Sequence, residues 1–252
     1  MKPVVFAGIL RLAAKYLIEP LRAHLIEQVV SDWPKTLKEW DLRQEEIQVF
    51  LRDRKHPPVH EHFPEPVTAI KFAQEFGCEE ILPAAFYQLA TTSTSADWDL
   101  PQYSKNEMRA KWSILEKEDW RRYARGCEEL RAPGNRPEAF GMGYHDCIET
   151  CVSEASFLDE DMPEVFSGRC LNYFDRLLQR AWTVVELKGY CNDVLRVYLE
   201  CLRHFKEIPL LPGEEPPNDV CNDCEKELPF NIDYRRRTLW KSLPSVFGKA
   251  HD

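Results

Sequence analysis

The chain has 252 residues, 44% of them hydrophobic and 30% charged, with a formal net charge of −9. That length can bury a real core, as one large domain or two small ones, and the composition is that of a globular chain rather than a disordered one. The acidic balance offers no bulk cationic surface to displace counterions from phosphates, which argues against nucleic acid as the main partner.

The first elements are read from Val4 to Pro34, VVFAGILRLAAKYLIEPLRAHLIEQVVSDWP. Leu10, Ala14, Leu17, Leu21, Leu25 and Val29 recur at helical spacing, and Pro20 marks where a second helix starts. Arg11, Lys15 and Glu19 interrupt the apolar pattern, so the segment is neither a signal peptide nor a membrane span. Pro34 ends the pair, TLKEWDLRQEEIQVFLRD gives another helix or two, and RKHPPVHEHFPEP is a proline-rich loop.

In EPVTAIKFAQEFGCEEILPAAFYQLA, Val67, Ile70, Phe72 and Phe76 lead to Gly77, a helix stop. Ile81, Ala85 and Leu89 then carry a second helix, which makes a helical hairpin. After the polar loop TTSTSADWDLPQYS, the segment EKEDWRRYARGCEEL sets Trp120, Tyr123, Cys127 and Leu130 on one face, and APGNRP breaks the chain. Beyond it, one face carries Leu171, Phe174, Leu178, Trp182 and Val185, and the next carries Cys191, Leu195, Tyr198 and Leu202. IPLLPGEEPPND reads as a linker before a last basic helix. With only ten glycines, no fixed-period repeat and no strand runs, the expected class is all-α, an irregular array of helical hairpins.

Nine cysteines are an odd and irregular set, and an intracellular chain, cytoplasmic or nuclear, keeps them reduced. The strongest local motif is CNDC, Cys221 and Cys224, whose two thiolates can turn about one metal ion. Two further ligands are available in YHDCIETC, where one helical turn separates Cys147 from Cys151, with His145 close by. Together they outline one structural zinc and a small zinc-stabilised C-terminal region. Against this, the two pairs lie much farther apart than the ~15–20 residues of a compact zinc ribbon, and four reduced thiols need no metal. Cys78, Cys127, Cys170, Cys191 and Cys201 fall on or beside apolar faces and read as core.

His56, His60 and His62 have ligand chemistry, but a proline-rich loop is a poor scaffold and a solvated loop is the plainer reading. No phosphate loop, nucleophile elbow or dinucleotide fingerprint is present, so no cofactor other than that zinc and no catalysis are expected. Arg235 to Arg237 read as a solvated helical face, and Trp240, Leu243 and Phe247 as the stripe that docks the last helix.

The order of these segments resembles a known family. RLAAKYLIEPLRAHLIEQV, through Leu10, Leu12, Ala13, Lys15, Tyr16, Leu21 and Leu25, is similar to the last helices of a BTB/POZ domain. DWPKTLKEWD, the hairpin after it, LEKEDWRRYARGCEEL, the paired cysteines and LWKSLPSVFG follow in the order seen in BTB/POZ proteins of mushroom-type (basidiomycete) fungi. On that resemblance, residues 1–30 are the end of a BTB domain, 31–132 the helical region behind it and 133–252 a C-terminal helical region with paired cysteines. The main BTB fold is missing from this sequence, which puts a BTB-type dimer and a cullin-recruiting role in doubt. The resemblance implies a scaffold or adaptor that binds protein partners without turnover, with a zinc-stabilised nuclear regulatory protein as the alternative. It also implies that residues 1–30 expose apolar surface, unless that hairpin packs on the helices after it.

Overall fold

The computed structural model describes residues 2–52, 62–100, 108–131, 177, 179–187, 192–204 and 222–248. Among them the structure is all-α with no strand; one isolated bridge joins Asp97 and Ala110. The chain divides into two compact units, Met1–Cys127 with Trp240–Asp252, and Glu128–Leu239.

The first unit opens with α1 (Lys2–Lys15) and α2 (Glu19–Ser31), the latter carrying Pro20 in its first turn. Proline is tolerated there because the amide it lacks has no helical acceptor. Helix α3 (Leu37–Arg52) begins at a capping box: Glu39 N–H donates to Thr36 Oγ1 at 3.2 Å, and Glu39 Oε2 accepts from Thr36 N at 3.1 Å and Lys35 N at 2.7 Å. These bonds, the one from Lys35 foremost, hold the Glu39 carboxyl below its ordinary pKa.

Helices α4 (Pro66–Phe76) and α5 (Leu82–Ala90), joined through a one-turn 3-10 helix at Glu79–Ile81, form the centre of the unit. All of α5 except Pro83 is buried. Glu65 is the buried N-cap of α4, accepting from Val67 N at 2.9 Å and Thr68 N at 2.7 Å and also from Lys111 N at 3.0 Å. Its single carboxylate thus closes a helix end and fastens a distant loop. At the other end Gly77 takes φ +75° as a left-handed cap, and Cys78 N–H reaches back to Ala73 O at 2.9 Å.

The one-turn helix Trp112–Ile114 leads into α6 (Lys117–Arg131). Trp112 stacks on Trp120 at 5.3 Å, and Tyr123 meets both rings edge-on. The last residues close the same unit. Leu243 and Phe247 are fully buried, Phe247 stacks on Phe86 at 5.6 Å, and Trp240 lies 5.7 Å from Trp40. Arg122 donates through Nε and Nη2 to the Phe247 carbonyl at 3.0 and 2.9 Å while its guanidinium lies over the Phe86 ring. Docking of the terminal stripe, expected from its spacing, is what the structure shows.

The second unit includes α7 (residues 179–187), α8 (Val194–His204) and most of α9 (Asn222–Val246). Val185, Leu195, Tyr198 and Ile232 are buried there together with several charges. Asp193 caps α8 through Arg196 N at 3.1 Å, and buried Glu200 lies 3.4 Å from Arg203. The arginine run departs from its sequence reading: Arg236 is buried and donates to the Leu195 carbonyl at 3.2 Å, while Arg237 pairs with Asp233 on the exposed side. A guanidinium that finds a carbonyl can be buried, and a count of charges along a helix does not register that.

Candidate functional site

Among the described residues of the first unit, the largest group of exposed apolar side chains lies on the α1–α2 hairpin. Leu10 and Ala13 turn inward, and α1 packs on α2 and α4. Arg11 clamps α1 to α4 by donating to both carboxylate oxygens of Glu75, at 2.6 and 2.8 Å. Beside that buried stripe, Ile9, Leu12 and Tyr16 follow one another at three- and four-residue spacing and all face solvent. Leu17, Ile18 and Leu21 continue the surface around the turn into α2. The six side chains are between 37% and 80% exposed, and Leu17 is the most exposed of them.

The turn itself is unusual for its residue. Leu17 N–H donates to Ala14 O at 3.3 Å and Ile18 N–H to Ala13 O at 2.9 Å, which is a Schellman cap with Leu17 at the left-handed position, φ +57°. Glycine is the ordinary occupant of that position, and an L-side chain there costs about 1–2 kcal/mol. The opposite oddity sits in α1. Gly8 lies in the helix interior, where it costs about 1 kcal/mol against alanine, yet a Cβ added there would meet nothing within 4 Å among the described residues.

A second feature is a recess of about 420 Å³ beside α3. Trp33, Glu39, Arg43, Glu46, His62 and Phe63 contribute to its walls. Arg43 lies over the Trp33 ring at 5.1 Å and over Phe63 at 6.0 Å, and donates to the Asp32 carbonyl. Burial pushes its guanidinium down to about 10 despite the charges of Asp32 and Glu46. Arg43 therefore serves as the wall of the recess, held by rings and a carbonyl.

Of the cysteines proposed as metal ligands, Cys147, Cys151 and Cys221 lie outside the described residues, as does His145. Cys224 falls within α9, but its side chain is outside them too. His56 and His60 are likewise outside; His62 is exposed and stacks on Phe50 at 4.6 Å. Among the described residues no three metal-binding side chains group together. Cys78, Cys127 and Cys201 are buried, and burial raises the Cys78 and Cys201 thiols. Both stay protonated, so neither is an activated nucleophile. Glu79, Glu80 and Glu128 face solvent.

Among the described residues no helix is long and apolar enough to cross a membrane. No family model matches the chain, and neither does any curated protein or solved structure.

Leu10, Ala14, Leu17, Leu21, Leu25 and Val29 read as an apolar series broken at Pro20, and the structure divides its members between core and solvent. Leu10, Leu25 and Val29 are buried; Ala14, Leu17 and Leu21 are exposed. The left-handed turn at Leu17 breaks the helical register, and no glycine or asparagine marks it in the sequence.

Proposed function

We propose that this chain is a non-catalytic protein–protein interaction module, a BTB-type scaffold or adaptor, that docks a partner on the exposed face of the α1–α2 hairpin. The observation that carries the reading is the solvent-facing set Ile9, Leu12, Tyr16, Leu17, Ile18 and Leu21. Large apolar side chains grouped on one exposed hairpin, rather than scattered singly, are the mark of an interaction surface. The BTB part of the reading rests on the order of the sequence motifs.

A photo-crosslinking residue in place of Leu12, introduced in the expressing cell, tests the docking face. The expected result is one adduct that re-forms from purified components and is abolished by Leu17→Asp. If the face stays unlabelled while the same probe at a buried position reports a folded chain, the reading is wrong.

A further inference from the structure

The recess beside α3 shares no residue with the exposed face of the hairpin. Glu39, Leu42, Arg43 and Glu46 stand at positions i, i+3, i+4 and i+7 of α3, so one face of that helix forms a side of it. Trp33, Pro34, Phe63 and Pro64 supply buried apolar surface, and Leu42 adds an aliphatic side chain that is 52% exposed. Its volume of about 420 Å³ falls in the range of ligand-sized pockets, ~300–1,000 Å³.

The charges of the lining are unbalanced. Asp32, Glu39 and Glu46 bring three carboxylates against the single guanidinium of Arg43. That guanidinium is already engaged by the Trp33 and Phe63 rings and by the Asp32 carbonyl. Glu39 accepts its capping bonds through Oε2, which leaves Oε1 clear of them. Glu46 is exposed and forms no hydrogen bond among the described residues. Exposed carboxylates beside a buried apolar floor suit an amphipathic cation. The stem of a lysine or arginine can lie on the rings and prolines while its charged head stays at the carboxylates.

A second observation narrows the ligand. Trp33 is 3% exposed, and its buried indole Nε1–H has no hydrogen-bond partner. Buried donors without an acceptor are rare. An alkylamine has no acceptor oxygen to offer, whereas a peptide brings a carbonyl with every residue.

We propose that this recess is a second docking site, which takes a lysine- or arginine-bearing segment of a partner protein. The basic side chain crosses the apolar floor to Glu39 and Glu46, and a carbonyl of the same segment accepts from Trp33 Nε1. The site does not rest on the hairpin reading above.

The test is fluorescence anisotropy of a labelled peptide of alternating glycine and lysine, titrated with the purified full chain. Saturable binding is expected, and Glu39→Gln combined with Glu46→Gln should weaken it at least tenfold. Glutamine preserves the capping box of α3, so the melting temperature of that variant should match the wild type. The chain is acidic overall, with a net charge of −9, so bulk attraction needs its own control. Glu80→Gln combined with Glu128→Gln removes the same charge away from the recess and should leave binding unchanged. Leu17→Asp should also bind as the wild type does, which separates this site from the hairpin face. On binding, the indole N–H resonance of Trp33, assigned with Trp33→Phe, should move. A peptide that fails to bind, or that loses as much affinity from the Glu80 and Glu128 pair, overturns the proposal. So does a peptide that moves the Trp33 resonance no more than n-butylamine does.

Discussion

The first unit contains the same helical hairpin twice, with opposite outcomes. In α1–α2 and in α4–α5 the first helix ends in a left-handed cap whose next amide reaches back to an alanine carbonyl, from Ile18 to Ala13 and from Cys78 to Ala73, both at 2.9 Å. Each second helix then carries a proline in its first turn. Yet Gly77 occupies the cap of one and Leu17 that of the other, at φ +75° and +57°. The α4–α5 hairpin buries nearly all of its apolar side chains, while α1–α2 leaves Ile9, Leu12, Tyr16, Leu17, Ile18 and Leu21 in water. Identical local geometry therefore does not decide burial. The two caps differ in the residue that adopts the left-handed turn, glycine in the buried hairpin and leucine in the exposed one.

Substitutions can break that contrast, the largest effects first. Phe86→Ala, in α5, removes a fully buried ring stacked on Phe247 and lying under Arg122, and should cost about 3–5 kcal/mol in urea unfolding. Leu12→Ala on α1 should stay within about 0.5 kcal/mol, because its side chain is already in solvent. Comparable losses at both positions would mean that α1 is not the exposed half. Glu65→Ala leaves the amides of Val67, Thr68 and Lys111 without their acceptor and should cost about 2–3 kcal/mol in the same assay.

The cap residues give a smaller and sharper pair. Gly77→Ala should destabilise by about 1 kcal/mol, since its φ stays positive, whereas Leu17→Gly should stabilise the fold by up to about 1 kcal/mol. Changes of the same sign would dissolve the comparison. Smallest of all is the acid response of the Arg11–Glu75 clamp. The hydrogen bond from Arg11, and then its charge, holds the Glu75 carboxyl below its ordinary value of 4.5. A carboxyl depressed in the folded state binds fewer protons than in the unfolded chain, so its stabilisation is full above the ordinary value and fades as pH falls through the lowered one. Glu75→Gln should slightly flatten the loss of melting temperature below pH ~4.5 and leave the neutral melt almost unchanged.

Much of the enclosed hairpin is legible in the sequence. Val67, Ile70, Ile81, Ala85 and Leu89 recur at helical spacing, Gly77 announces the stop, and all five apolar residues are fully buried. Trp240, Leu243 and Phe247 likewise announce the docked terminus. The candidate face is legible only as an apolar pattern. Periodicity shows that Leu10 and Leu17 are both apolar, but which of them meets water depends on a turn that a leucine has no intrinsic reason to make. Nor does composition show that a carboxylate caps α4 and holds Lys111 together, since the two segments meet only in space. The zinc expectation rests on spacing alone, because the ligand side chains of Cys147, Cys151, Cys221 and Cys224 fall outside the described residues. Elemental analysis beside a melt with chelator decides it: one zinc per chain and lost stability make a structural site, and an indifferent melt without metal makes ordinary thiols.

The stacking of Phe247 on Phe86 also sets a schedule for synthesis. The first unit is assembled from two stretches of chain, and the whole of residues 128–239 must leave the ribosome before the second stretch exists. At ~5–20 residues per second, that is on the order of ten seconds during which Phe86, Trp40 and the rings around them await their last neighbours. The nascent protein thus carries an unfinished aromatic socket while residues 128–239 are made, and closes it only when the end of α9 emerges.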